Sequence, residues 1–377
     1  MRGRGVGRRM WLVMGVLLAT QLGSLVSPAY ACGCGAMVHG TGTRLAVRQE
    51  TSAVRWDGRS EQIVMSLTVD GNAPKAAWIM PVPHRATVTL GDRALFSDLE
   101  RATAPVHRNR DHFWPQDGDW PFTHHKRAVG DGAGAPSAAA PSVGVVGRER
   151  LGPFDVARLT ATDPDALRDW LAANGFQLPP ALSAELRPYV AQKWEYVAVR
   201  LAPAAGDGPL TGTLDPLKLT FASERLVYPM RLSRLAKTAQ SLRLYVVSGH
   251  RMEPESNIGG SAPSVLYAGR VPRDAGPLTR FAGEGDTPYL TALSQSFWQP
   301  SWITGDHELV RAADDSPFQR VIYTDRLMRV WGVPAWLVTV GGALVAVATA
   351  ALLLIRRSLR RRPVAPPPPV VVPPPLT

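Results

Sequence analysis

The sequence predicts an α+β protein with a β-rich antiparallel ectodomain, a few short helices and one C-terminal transmembrane helix. Three observations predict it. Apolar and polar residues alternate through much of the first half, helix and strand patterns mix in the second half, and 21 uncharged residues run from Ala335 to Ile355. The chain has 377 residues, 45% of them hydrophobic, which is enough for two domains of ordinary size.

The first 31 residues are expected to be a signal peptide. Arg8 and Arg9 precede an apolar run, and Ala29-Tyr30-Ala31 matches the small-x-small cleavage pattern. The paired arginines also fit a twin-arginine export signal, so the export route stays open. Cleavage would make Cys32 the first residue of a mature chain outside the cytoplasm.

A strand-rich N-terminal part of the ectodomain is expected over residues 32–104. Its clearest strand has Ile63, Met65, Leu67 and Val69 on one face, and Asp70-Gly71-Asn72 then turns the chain. Further strand patterns cover Ala76 to Pro81 and Ala86 to Leu90. Together they predict a small antiparallel sheet with one solvated face.

Residues 105–146 interrupt this pattern and are interpreted as a flexible insertion or linker, because they become rich in Gly, Ala, Pro and Ser. Residues 147–330 form the α+β C-terminal part of the ectodomain. Asp163 can cap a helix that Gly175 ends, and a shorter helix is expected from Pro180 to Arg187, before Pro188. Strands are predicted at Trp194 to Leu201, Leu217 to Phe221 and Leu242 to Val247.

Residues 333–355 are predicted to be the transmembrane helix. At ~1.5 Å per residue, its uncharged stretch is about 31 Å long, close to a hydrocarbon core of ~30 Å. Positive residues stay on the cytoplasmic side, so the ectodomain is expected outside a cell membrane that the chain crosses once. The basic, proline-rich tail, residues 356–377, is then cytoplasmic, and it begins with Arg356, Arg357, Arg360, Arg361 and Arg362.

The net charge of +11 does not indicate a nucleic-acid partner. Nine arginines lie in the signal region and in the tail, and the remaining 33 Lys and Arg face 31 acidic residues, which leaves the ectodomain near +2. The expected partner is the lipid bilayer. An envelope component or a protein partner for the ectodomain is left open.

Several motifs between Cys32 and about Arg329 resemble a family of bacterial exported, membrane-anchored proteins known only as a domain of unknown function. The resemblance implies the topology just described and no activity, so no catalytic residue is carried over. The motifs are Cys32-Gly33-Cys34-Gly35-Ala36, Val54-Arg55-Trp56-Asp57-Gly58, Ala77-Trp78-Ile79-Met80-Pro81-Val82-Pro83, Gly152-Pro153-Phe154-Asp155-Val156, Leu217-Lys218-Leu219-Thr220-Phe221 and Val227-Tyr228-Pro229-Met230-Arg231.

The mature N-terminus holds the most suggestive chemistry. Cys32 and Cys34 are the only cysteines, and an oxidising compartment favours a disulfide between them. With Met37 and His39 they also form a Cys-x-Cys-x-x-Met-x-His cluster of soft ligands that suits copper as a cofactor. Lipidation of Cys32 is disfavoured, because Ala29 stands where a lipobox usually has Leu.

A second group of potential zinc ligands lies in the insertion, where a solvated loop is the simpler interpretation. The group consists of His107, Asp111, His112, Asp117, Asp119, His124 and His125. The sequence therefore predicts first a non-enzymatic surface module, then a copper or thiol-redox protein, and last an unrecognised hydrolase that would use these histidines.

Overall fold

The computed structural model describes residues 35–40, 42–116, 119, 149–151, 154–160, 164–201, 208–273, 276–283 and 288–360. The chain divides into two compact units, one of residues 1–106 and 137–320 and one of residues 107–136 and 321–377. The cysteines and the predicted signal peptide lie outside the described residues.

Strands dominate the described residues, as the sequence predicts. They are β1 (Ala36–His39), β2 (Leu45–Trp56), β3 (Ser60–Gly71), β4 (Ala76–Val82), β5 (Thr87–Leu90), β6 (Val106–His112), β7 (Glu149–Leu151), β8 (Phe154–Thr160), β9 (Glu195–Leu201), β10 (Gly212–Thr213), β11 (Leu217–Ala222), β12 (Leu226–Tyr228), β13 (Gln240–Ser248), β14 (Met252–Pro254), β15 (Ser264–Arg270), β16 (Tyr289–Phe297), β17 (His307–Arg311), β18 (Phe318–Gln319), β19 (Val321–Leu327), β20 (Arg329–Val330) and β21 (Val333–Pro334).

The described helices are few and mostly short. They are α1 (Ala94–Ala102), α2 (Pro164–Ala173), α3 (Pro180–Ala191), α4 (Pro277–Ala282) and α5 (Ala335–Arg360), with 3₁₀ turns at Arg231–Leu235 and Pro300–Trp302.

A nine-stranded sheet is the largest element of the first unit. Its strands run in the order β18-β15-β16-β13-β2-β3-β11-β5, and β10 also pairs with β3. Its strands pair antiparallel except β2 and β13, which are parallel, with Val54 beside Val246. The prediction of one small sheet is wrong for β4, which lies in a different sheet from β3 and β5 because its apolar residues are covered on both faces. A long hairpin joins β2 to β3, and at its turn Asp57 Oδ1 accepts backbone N–H groups of Arg59 and Ser60 at 3.0 and 2.8 Å.

A β-bulge between Val47 and Gln49 sets which face each later residue of β2 occupies. Without the extra residue, Gln49 would follow Val47 onto the core face, because side chains alternate along a strand. With it, Glu50 and Ser52 turn into the core, while Gln49 and Thr51 reach the outer face. The bulge therefore brings a carboxylate into the core.

The inner face of the nine-stranded sheet packs against two smaller sheets to form a β-sandwich. One has the order β1-β4-β9-β8-β7 and the other has the order β12-β17-β14. Each fully buried Leu, Ile, Val or Met stabilises this sandwich by roughly 1.5–3 kcal/mol. Its core includes Met37, Ile63, Met65, Trp78, Met80, Val199, Leu219, Tyr228, Leu244 and Phe297.

Strand β4 lies inside the five-stranded sheet, and every one of its residues is buried. Trp78 and Met80 face the sandwich core, while Ala77 and Ile79 face α2 and α3. Because both faces are covered, β4 needs apolar residues at every position, which explains why its sequence shows no alternation.

Helix α3 extends beyond its predicted end. It continues through Pro188 to Ala191, although Pro188 lacks the N–H that would complete the helical hydrogen bond. The reason is tertiary packing, because Tyr189 is fully buried one residue later in the same cluster as Leu182 and Leu186.

On the outer face of the nine-stranded sheet, α1 and α4 cover parts of β15, β16, β13, β2 and β3. Leu95 and Leu99 of α1 and Leu278 of α4 pack there on Tyr245 and Val247. The remaining outer surface beside α1 carries polar side chains and agrees with the solvated face that the alternation predicts.

The second unit contains the long apolar helix. Strands β6 and β19 pair, and β20 and β21 form a hairpin whose turn residues Trp331 and Gly332 have positive φ angles of 49° and 82°. Helix α5 has 26 residues, and it is long and apolar enough to cross a membrane. None of its most apolar stretch is buried against protein. Strand β6 lies where the sequence predicted only a flexible insertion.

Candidate functional site

A polar cleft opens on the outer face of the nine-stranded sheet, in the part that α1 leaves uncovered. Its volume is about 360 Å³, within the roughly 300–1,000 Å³ of small-molecule sites. Cross-strand pairing builds its floor in two rows, one of Gln49, Thr68 and Thr213 and one of Thr51 and Ser66. Each of these side chains carries a hydroxyl or amide group that can both donate and accept hydrogen bonds.

One face of α1 forms the wall of this cleft. Arg93, Phe96, Ser97 and Glu100 line it, and their spacing of three and four residues places them on a single helix face. Asp92 Oδ1 accepts the backbone N–H of Ala94 at 2.8 Å and so supports the beginning of the helix. The opposite face of α1 buries its leucines, so the core fixes the orientation of the wall.

The charges near the cleft are largely balanced. Arg93 Nε and Nη2 lie 2.7 and 2.6 Å from Asp215 Oδ1, a pair that neutralises the guanidinium. Burial raises the pKa of Tyr245, and the charges of Arg243 and Glu100 act on that hydroxyl in opposite directions. Arg93 and Glu100 are the two charged side chains among the lining residues, and the other polar groups of the lining are uncharged.

A buried polar contact lies on the opposite face of the same sheet. The hydroxyl of Tyr228 donates to the carboxylate of Glu50, and its oxygen lies 2.6 Å from Ser52 Oγ. All three side chains are buried between the nine-stranded sheet and the three-stranded sheet. Polar groups at such a depth need partners, so this contact fixes how the two sheets meet.

His307 and Gln295 form a second buried contact, with 2.7 Å between Nε2 and Oε1. The Gln295 amide nitrogen donates to the carbonyl oxygens of Gly259 and Ser261 at 2.7 and 2.8 Å, which leaves Oε1 to accept. The His307 proton therefore resides on Nε2, and Nδ1 has no hydrogen-bond partner within the described part of the chain. Burial lowers the pKa of His307 to about 4, so the ring is neutral at pH 7.

Glu61 is a second buried carboxyl group. It is fully buried, and burial raises its pKa well above the usual value of 4.5, although the backbone N–H of Val227, 3.3 Å from Oε2, and the Ser223 hydroxyl act the other way. Glu61 is absent from the functional residues predicted from the sequence. The alternation pattern did contain a signal for it, because Glu61 lies an even number of residues before Ile63, Met65 and Leu67 and therefore shares their core face.

The carboxylate of Asp306 contacts the end of the Val227-Tyr228-Pro229-Met230-Arg231 motif. Its Oδ1 accepts the backbone N–H groups of Met230 and Arg231 at 2.7 and 2.8 Å and the hydroxyl of Tyr189 at 2.7 Å. One carboxylate thus joins β12, the following 3₁₀ turn and α3. The motif has a structural role at this junction.

Two of the four predicted metal ligands lie on β1. Met37 packs into the sandwich core with 2% of its surface exposed, and His39 is 6% exposed, with Nδ1 3.0 Å from Thr43 Oγ1. Cys32 and Cys34 lie outside the described residues, so neither the copper cluster nor the disulfide is tested and both stay predictions. Among the residues that the structure describes, no group of three or more His, Cys, Asp or Glu side chains is placed to hold a metal ion.

The histidines of the predicted insertion are only partly described. His112 Nε2 lies 2.6 Å from Asp119 Oδ2, which also accepts the backbone N–H of Gln116 at 2.9 Å. His107 and Asp111 are exposed on β6. Asp117, His124 and His125 lie outside the described residues.

A profile for uncharacterized proteins conserved in bacteria, DUF2330, matches residues 28–310. No curated protein matches the chain. Among solved structures, the chain is similar to baculovirus P35, with 9% identity, 74% of this chain and 97% of that chain covered, and a TM-score of 0.29. The P35 complex with caspase-8 gives 8% identity, coverages of 72% and 96%, and a TM-score of 0.26. At these TM-scores, neither structure bears on function.

Proposed function

The chain belongs to DUF2330, a family of uncharacterized proteins conserved in bacteria, and from this premise we propose that it is a membrane-anchored binding module of the cell envelope. Its ectodomain lies outside the cytoplasm and binds an envelope component without chemical conversion. The cleft beside α1 is the binding site.

The open polar cleft is the observation that carries this proposal. Its floor comes from three strands of a rigid sheet and its wall from a helix held by buried leucines, so the polar groups are preorganised. A site of this kind can bind a ligand with little ordering of its own side chains. Hydrogen-bond donors and acceptors dominate its lining, as a recognition site requires.

Helix α5 provides the membrane anchor in this proposal. The 26 residues correspond to about 39 Å of helix, enough for a tilted span with its arginines beyond the hydrocarbon region. Arg356 and Arg357 then hold the C-terminal end in the cytoplasm. The predicted signal peptide, with cleavage after Ala31, directs the ectodomain across the membrane to the side opposite the cytoplasm.

Protease protection in spheroplasts tests the topology. A full-length chain with a tag after Thr377 should lose its ectodomain to added protease while the tag stays protected, and carbonate should leave the protein in the membrane. A tag that is digested in intact spheroplasts, or release of the protein by carbonate, would contradict the proposed anchoring.

Co-sedimentation with purified cell-wall material tests the binding. The solubilised full-length chain should sediment with it, and Thr68→Arg, which fills the cleft, should reduce the bound fraction. Thr87→Arg is the matched control, because Thr87 is an exposed threonine on β5 outside the cleft. Equal retention of both variants would exclude the cleft as the binding site.

The copper or thiol-redox alternative depends on residues at the N-terminal end of the predicted ectodomain. Cys32 and Cys34 would supply thiolates, while the thioether of Met37 lies in the sandwich core and His39 Nδ1 lies 3.0 Å from Thr43 Oγ1. Burial of Met37 in the core makes this site costly to assemble. The hydrolase alternative has even less support, because His112–Asp119 is the one contact between two of its candidate residues among those that the structure describes in the insertion.

A further inference from the structure

The ligand class of the cleft follows from the chemistry of its lining, and we propose that the cleft binds a neutral, polyhydroxylated saccharide. This inference rests on the proposed function and deepens it. Hydroxyl and amide groups arranged in rows on the cleft floor match the alternating donors and acceptors of adjacent sugar hydroxyls.

The floor groups have the spacing that such a ligand needs. Thr68 Oγ1 lies 2.9 Å from Thr213 Oγ1, and Thr68 is the cross-strand neighbour of Gln49. Neighbouring strand backbones lie about 4.7–4.9 Å apart, and side-chain oxygens on them can approach to hydrogen-bonding distance, so one sugar ring can contact two floor groups at once. Ser66 and Thr51 repeat this arrangement one row further along the strands.

The wall supplies two further contacts that favour a saccharide. Glu100 can accept hydrogen bonds from two neighbouring hydroxyl groups, because an ionised carboxylate has two acceptor oxygens. The half-buried ring of Phe96 offers an apolar surface against which the C–H face of a sugar can pack. A fully ionised phosphate or sulfate group itself has neither a proton to donate to this carboxylate nor a C–H face to pack on the ring.

The charge balance argues against an ionic ligand. Arg93 is held by Asp215 at 2.6 Å, so its charge is compensated before any ligand arrives. An anion would meet the carboxylate of Glu100 on the wall, and the side chains that line the floor are all uncharged. A neutral ligand avoids this repulsion, and its binding should be insensitive to salt.

Titration calorimetry on the full-length chain in a detergent without sugar headgroups tests the inference. Cellotetraose, maltotetraose and tetra-N-acetylchitotetraose serve as neutral probes, polygalacturonate as an anionic probe and a pentaglycine peptide as a peptide probe. We expect at least one neutral oligosaccharide to bind, with an affinity that is unchanged between 50 and about 500 mM NaCl, where the Debye length falls several-fold.

Thr68→Val removes one floor hydroxyl at nearly constant volume and should weaken that binding about two- to twelvefold. Thr87→Val, the matched control outside the cleft, should not change it, and equal melting temperatures would show that both variants fold. Glu100→Gln should keep most of the neutral-sugar affinity, because the amide still accepts a hydrogen bond.

Failure of all three neutral probes, salt-sensitive binding of polygalacturonate alone, or binding of the peptide alone would each overturn the saccharide inference. The proposed function would survive any of these results if Thr68→Arg still abolished co-sedimentation with cell-wall material. If no neutral probe bound and Thr68→Arg had no effect on co-sedimentation, the cleft would not be a binding site.

Discussion

The hydroxyl of Tyr228 donates a hydrogen bond to the buried carboxylate of Glu50, although the two residues lie 178 positions apart in the chain. Tyr228 ends β12 in the three-stranded sheet, and Glu50 follows the bulge in β2 of the nine-stranded sheet. The contact therefore joins the two sheets at a depth where water cannot replace a lost partner.

Tyr228→Phe should lower the free energy of unfolding by about 1–3 kcal/mol, because it deprives a buried carboxylate of a hydrogen-bond donor. Thermal melting of the full-length protein in detergent measures the loss, and Tyr323→Phe is the control, since Tyr323 is 54% exposed. The double variant with Glu50→Gln should recover part of the loss. Strict additivity of the two substitutions would contradict the coupling.

Glu61→Gln should be more stable than the wild type, and this difference in stability should grow as the pH rises above about 4.5. The pKa of Glu61 is raised by burial, so the folded state keeps its proton while the unfolded state ionises above the usual pKa of 4.5. The stability that protonated Glu61 contributes is fully present below 4.5 and is lost as the pH rises toward the folded-state pKa. The amide cannot ionise, so this loss disappears.

Melting temperatures of the wild type and Glu61→Gln between pH 4 and 8 measure this difference. Glu253→Gln is the control, because Glu253 is an exposed side chain on β14. A Glu61→Gln advantage that stayed constant or shrank with rising pH would show that Glu61 is ionised in the folded protein.

Burial of His307 should make the protein less stable as the pH falls, whereas burial of Glu61 makes it less stable as the pH rises. Its folded pKa is about 4 against a usual 6.5, so the unfolded state gains a proton first as the pH falls through this window. The stability lost between pH 6.5 and 4 is about 3 kcal/mol for a fully buried ring. His307→Gln should flatten this part of the pH profile of the melting temperature.

His84→Gln provides the comparison for His307, since His84 is exposed and lies in the loop after β4. It should leave the slope between pH 4 and 6.5 unchanged. If the His307 variant retained the full acid sensitivity of the wild type, another group would have to be responsible.

Copper titration of the purified chain in reductant tests the soft-ligand prediction. On the copper alternative, wild type should bind one Cu(I) ion in competition with a chromogenic chelator, and Cys32→Ser/Cys34→Ser should not, because thiolates are the soft ligands that select this ion. Met37→Leu should weaken binding only if the thioether leaves the core. Equal binding by wild type and the double serine variant would end the hypothesis.

The sequence predicted the strands well where one face is buried. Alternation identified the strand that contains Ile63 and Met65, and the apolar run of β4 was also assigned correctly. It failed at Pro188, where local propensity predicted a helix end and the burial of Tyr189 prevailed. The parallel pairing of β2 with β13 was missed, because nothing local distinguishes a parallel neighbour from an antiparallel one.

The cleft could not be predicted from the sequence. Gln49 and Thr68 become neighbours only through the register of β2 and β3, and that register depends on a one-residue bulge. Phe96 and Glu100 join them only because the leucines of α1 fix its rotation. Hydroxyl residues are common on exposed strands, so none of these positions is distinctive before the fold is known.

The parallel pairing of β2 and β13 also joins two segments that lie far apart in the chain. Val54 and Val246 are 192 positions apart, so a nascent chain that has emerged only as far as the 3₁₀ turn at Arg231–Leu235 cannot yet close the centre of its main sheet. Until then, one hydrogen-bonding edge of β2 is available to other chains. Fragments that stop before β13 should therefore aggregate.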